Sequence, residues 1–198
     1  MATTFKALKR FLDQAGLKYE THEEHNVIAI GFKSDEDENT YRDADGDAHI
    51  QILVRLAEAG EFCVAMVPRT WSLGGCEHRA AVCEAAVRIQ SKLKLIRLDL
   101  NDEDHLQANV EIPLEKSRMC GEQLHRAVAC LLIAVRQFDP VIRHAMQTGE
   151  VDLELAREDD KPEPDANIAR MLELGEAAGG LDALERLLGD SDAPPIQA

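Results

Sequence analysis

Apolar residues recur along this chain with two different periods, and the changes of period divide it into elements. Phe5, Leu8, Phe11 and Leu12 return at helical spacing, with Lys6, Lys9, Arg10 and Asp13 elsewhere on the surface, which predicts an amphipathic opening helix. Thr3 or Thr4 can cap its start, and Gly16 can end it. The period then falls to two. A short polar strand is predicted over Lys18 to Glu23. The next, Val27 to Lys33, turns Ile28, Ile30 and Phe32 one way and the small Ala29 and Gly31 the other. His49 to Glu58 points Ile50, Ile52, Val54 and Leu56 inward, and Ala59-Gly60 turns the chain into a strand over Glu61 to Val67. Alternation repeated through short turns predicts an antiparallel meander with one face buried.

Pro68 to Gly75 breaks that pattern. A helix is predicted from about Cys76 to Leu93, with Val82, Ala86, Ile89 and Leu93 as its buried stripe. Two strands follow, one carrying Ile96, Leu98 and Leu100, the other Ala108, Val110 and Ile112. A long helix is predicted from about Gly121 to Met146, striped by Leu124, Val128, Leu131, Leu132, Val135, Phe138 and Ile142. Pro140 removes an intrahelical hydrogen bond, so a kink or a restart with Asp139 as N-cap is expected there. The fold class expected is α+β, an antiparallel sheet packed by helices in the order α-β-β-β-β-α-β-β-α over residues 1–149. Residues 150–198 are expected to form an acidic linker and a short helical tail, with Leu181, Leu184, Leu187 and Leu188 on one helical face. A helix that short is unstable alone, so it must dock on its own core, on a second subunit or in a partner's groove.

Composition narrows the function. Aromatics make up 4% of the 198 residues, so the core must be mainly Leu, Ile, Val and Ala. The formal net charge is −15, and the part from Glu150 onward holds 14 acids against 4 bases. Phosphate backbones and anionic membrane surfaces repel such a chain, so neither nucleic acid nor membrane is an expected partner. The opening residues alternate charged and apolar types, unlike a signal peptide, and five cysteines leave at least one unpaired, so a reducing cytoplasm is expected.

No motif fixes a reaction, a metal or a cofactor. The acidic stretch Asp35 to Asp47 suggests a calcium loop, but the register fails: a loop starting at Asp43 would need glycine at Ala48 and glutamate at Val54. Asp45-Gly46 suits a hairpin turn instead. His22 and His25 project to opposite faces of a strand. Cys76 and Cys83, seven residues apart on a helix, stand about 10 Å from each other, too far to share one zinc ion. Gly74-Gly75 lacks the companions of a phosphate-binding loop, and Ser72 has no evident base. Cys120, at the start of the long helix, is the candidate reactive thiol, because a helix N-terminus favours thiolate. Arg69 and Trp71 form a candidate exposed anchor, both types being common at binding hot spots, with core packing of Trp71 as the other reading.

Three passages carry a family resemblance: the opening helix into Leu17-Lys18-Tyr19, the stretch Leu98-Asp99-Leu100-Asn101-Asp102 through Val110-Glu111-Ile112-Pro113-Leu114, and Gln137-Phe138-Asp139-Pro140-Val141-Ile142. With the element order, they resemble the YbjN-like family of bacterial sensory transduction regulators, which has the type III secretion chaperone-like fold. The resemblance implies a small acidic protein, commonly a homodimer, with no established chemistry. The expected function is a non-catalytic protein-binding module, chaperone-like or regulatory, with another protein as partner. The alternative is a small-molecule sensor or thiol-dependent enzyme using a cavity between sheet and helices near Cys76, His78 and Cys120.

Overall fold

Thr4 opens the first helix, α1 (Phe5–Gln14), its hydroxyl oxygen accepting from the Ala7 N–H at 3.2 Å. At the other end Gly16 takes a left-handed φ of 68°, its N–H reaches the Asp13 carbonyl, and the Leu17 N–H reaches back to Leu12. That pair of bonds is a Schellman stop, and Leu12 and Leu17 are both buried beside it. Thr3 serves elsewhere, its buried hydroxyl accepting from the Met119 N–H.

The computed structural model describes residues 3–33, 41–43, 46, 48–115 and 117–157. After α1 come β1 (Glu20–His22), β2 (Val27–Lys33), β3 (His49–Ala57), β4 (Phe62–Ser72), α2 (Arg79–Gln90), β5 (Arg97–Leu100), β6 (His105–Pro113) and α3 (Gly121–Thr148). The six strands lie in the order β1-β2-β3-β4-β6-β5, and every neighbouring pair is antiparallel. The chain is therefore α+β, with one sheet and flanking helices.

Register decides which side chains share a face. Ile28, Ile30 and Phe32 of β2 pair with Val54, Ile52 and Ile50 of β3 and point inward with Cys63, Ala65 and Val67 of β4. Leu8 and Leu12 of α1, Val82 and Ile89 of α2, and Leu124 and Leu131 of α3 complete the same apolar cluster. The helices thus coat one face of the sheet.

Three local expectations are corrected. Pro68 does not end β4, which runs on to Ser72 through an irregularity between Val67 and Trp71. β3 pairs with β4 only as far as Met66, so the missing Pro68 N–H leaves no rung of that ladder broken. Inside the bulge the fully buried Thr70 hydroxyl donates to the Val67 carbonyl at 2.7 Å and accepts from the Ala108 N–H at 3.2 Å, replacing lost backbone rungs. Pro140 does not restart α3, which is one helix of 28 residues. The Asp139 carboxylate is bound to Trp71 and Arg143 and so is not a cap. The Arg157 N–H donates to the Gln137 carbonyl beside the proline. Finally, α2 is shorter than expected, with His78 as its first flanking residue and Leu93 beyond its end. The segment from Asp35 to Asp47, apart from residues 41–43 and 46, and the tail leucines Leu181, Leu184, Leu187 and Leu188 lie outside the described residues.

Candidate functional site: the outer face of the sheet

Because side chains alternate along a strand, each inward position has an outward neighbour. The outward residues align in rows across the strands. One row runs Glu20, Ala29, Leu53, Met66, Asn109, Arg97, and the next runs His22, Val27, Arg55, Val64, Glu111. A third holds Ala57, Phe62 and Pro113.

The middle of this face is apolar. Val27, Ala29, Leu53, Phe62, Val64 and Met66 all lie on it, and none belongs to the cluster that the helices cover. Among the described residues, no helix packs against them. Val27, Ala29 and Val64 are buried, while Leu53, Phe62 and Met66 are half-buried.

The β5–β6 side is polar and internally paired. Arg97 Nε donates to Asp99 Oδ2 at 2.8 Å and its terminal nitrogen to Glu111 Oε1 at 3.0 Å, while the Asn109 amide donates to Asp99. Arg55 is different. It is exposed in the midst of the apolar rows and has no ion pair among the described residues. Three shielded polar atoms of this face, Glu20 Oε2, His22 Nε2 and Asn109 Oδ1, also have no hydrogen-bond partner there.

The sequence-predicted site residues lie elsewhere. Trp71 is 3% exposed and donates its indole N–H to the 2%-exposed Asp139, so it is a core residue and not an exposed anchor. Its polar handle finds a partner only inside the fold. Arg69 is half-buried in the bulge with a left-handed φ of 50°. Cys120 is exposed as the flanking residue of α3, and its N–H donates to Gln123 Oε1 at 3.0 Å.

Cys76 and His78 stand at the opposite end of the same helix. The Cys76 thiol faces the Met146 carbonyl at 4.0 Å, and His78 packs on Gly149, the left-handed residue that closes α3. At ~1.5 Å rise per residue the two ends of α3 are roughly 40 Å apart, so Cys120 cannot share a site with Cys76 and His78. Between sheet and helices lie apolar side chains such as Leu12, Ile28, Ile52, Ile89, Leu124 and Leu131, all fully buried. Among the described residues no group of three His, Cys, Asp or Glu could hold a metal ion, and no helix is long and apolar enough to cross a membrane.

Sequence reasoning expected a single buried face and so missed the outer one. The signal was present: Phe62 to Val67 is an unbroken apolar run, and Val27 to Phe32 is another. Strands buried on both faces read as continuous runs, whereas half-solvated strands alternate.

Comparison with known proteins finds weak structural likenesses. No family model and no curated protein matches the chain. The crystal structure of YbjN from E. coli is weakly similar, with a TM-score of 0.45 and 12% identity over 70% of this chain and 93% of that one. The structure of the HopA1-SchA chaperone-effector complex is similar with a TM-score of 0.41 and 17% identity, over 65% of this chain and 87% of that one. Scores of this size give the function of either protein no bearing on this chain.

Proposed function

We propose that the chain is a non-catalytic protein-binding module, chaperone-like or regulatory, and that it meets protein through the outer face of its sheet. The observation that carries this reading is the one-sided helix coat. It leaves the half-buried Leu53, Phe62 and Met66 near one another, around the buried Val64, on the face away from the helix-covered cluster. A face that only met water would carry polar residues in its middle, and contiguous apolar patches on soluble proteins mark contact surfaces. The unpaired Arg55 and the three orphaned polar atoms add groups that a protein partner can satisfy. The net charge of −15 disfavours nucleic acid as that partner.

The test is site-specific photocrosslinking of the full chain in its native host. A benzophenone side chain is placed at Leu53 or Met66, and at the exposed Arg126 of α3 as control. Protein adducts at the two sheet positions and none at the control are expected. No adduct at either sheet position would overturn the reading.

A further inference from the structure

We infer that the protein docked on the outer face is a second copy of this chain, joined sheet to sheet about a twofold axis along β4. The inference rests on the outer face being a protein-contact surface and says what that contact is with.

A twofold contact requires a surface that is complementary to itself after a half-turn. The outer face has that pattern about β4. Phe62, Val64 and Met66 lie along the strand itself, so each meets its own counterpart, apolar against apolar. Arg55 on one side and Glu111 on the other both pair in register with Val64. They therefore stand one strand spacing, about 4.8 Å, to either side of the axis. A half-turn lays Arg55 over the partner's Glu111, and the reverse pair forms by symmetry. Arg55 is exposed and has no carboxylate among the described residues, so the second copy supplies what its own fold does not. Ala57 and Pro113 flank Phe62 in the same way and exchange places without a charge clash. The unlike pairs lie one row away, Leu53 against the partner's Asn109 and Ala29 against the partner's Arg97, whose charge is already met by Asp99 and Glu111 of its own chain.

Charge favours this occupant over the chain's own acidic tail. The outer face is balanced, with Lys33, Arg55 and Arg97 against Glu20, Asp99 and Glu111, although the chain as a whole carries −15. An acidic segment laid on it would meet as many carboxylates as cations, whereas self-pairing sets Arg55 against Glu111. A half-turn about β4 overlays five of the six strands, β1 overhanging. At ~4.8 Å spacing and about seven residues of length these present roughly 550 Å² in projection, at the small end beside the ~800 Å² per partner of an ordinary stable interface. Aligned sheets keep their strand directions within about 30° of each other, which an axis along β4 satisfies.

The experiment is sedimentation equilibrium on the full chain and on the R55E, E111R and R55E/E111R variants, with circular dichroism as a check on folding. Both positions are exposed, so these variants leave the core untouched. A dimer is expected, with its dissociation constant raised about tenfold or more by either single variant and largely restored in the double variant. A dimer indifferent to all three variants overturns the proposal, as does a folded monomer. If the monomer still gives photocrosslinks at Leu53 or Met66, the protein-contact reading stands and only the identity of the occupant falls. Intramolecular crosslinks to residues after Arg157 would give the face to the tail.

Discussion

The indole N–H of Trp71 reaches the Asp139 carboxylate at 2.9 Å across 68 residues of chain. Arg143 Nε approaches both oxygens of that carboxylate, at 3.0 and 2.9 Å, and its terminal nitrogen donates to the Arg42 carbonyl at 2.7 Å. Tyr41, two residues from Asp43, donates its hydroxyl to the Thr70 carbonyl at 2.9 Å. One buried acid thus joins β4, α3 and the segment that leads into β3. Asp139→Ala should strand a buried indole N–H and lower stability by about 1–3 kcal/mol. Asp139→Asn keeps an acceptor and should lose less. Urea denaturation followed by the fluorescence of the single tryptophan measures both. An unchanged midpoint in the alanine variant would remove the network from the account of stability.

The same acid sets a pH dependence. Burial raises its pKa above the ordinary carboxylate value, and the bonds from Trp71 and Arg143 offset that only in part. Below about pH 4 the acid is protonated in both folded and unfolded chains and has no effect. As pH rises through the window up to the raised folded value, the unfolded chain loses its proton first, so stability falls there and then levels off. Asp139→Asn should remove that decline. Denaturation midpoints taken across mildly acidic pH in both proteins test it, and parallel curves would contradict it.

The thiols should separate by position. Cys120 is exposed, Cys76, Cys83 and Cys130 are half-buried, and Cys63 is buried with its thiol pKa pushed up to about 12 by that burial. Burial also raises Cys130. Since the thiolate is the reacting form, iodoacetamide should label Cys120 first and Cys63 only on unfolding. Equal slow labelling of Cys120, Cys83 and Cys130 by mass spectrometry would end the case for Cys120.

The free edge of β5 is blunted by a side chain. Gln90 at the end of α2 accepts from the Leu98 N–H at 2.9 Å and donates to the Ile96 carbonyl at 2.7 Å, taking the place of a neighbouring strand. Open edges invite pairing with other chains, and proteins cover them by such means. Gln90→Leu should speed hydrogen exchange at Leu98 about fivefold or more, in line with the loss of about 1 kcal/mol, and should promote aggregation. Exchange at Leu98 unchanged by the substitution would show that the edge is protected otherwise.

Much of the inner architecture was legible. Ile28, Ile30 and Phe32 alternate inward, the Leu124 to Ile142 stripe marks α3, and Gly16 stops α1 in a left-handed conformation open to it for want of a Cβ. The rest depended on tertiary partners. Pro68 reads as a terminator until its rung is known to face no β3 residue, and Thr70 repairs a ladder that no local pattern announces. Pro140 reads as a restart until α3 is seen to continue through it. The outer face was written in the unbroken run Phe62 to Val67, but a period-two template counts only the inward half of such a run.

Adjacent residues of β3 belong to different assays. Ile52 points into the helix-covered cluster, and Leu53 points out of it. Damage at an inward position appears in the melting temperature at any protein concentration. Damage at an outward position that pairs two chains appears as a change in how that temperature depends on concentration, because association stabilises only the folded form. A dilution series across a scan of β3 would therefore trace the pleat of the strand, one residue answering to dilution and the next not.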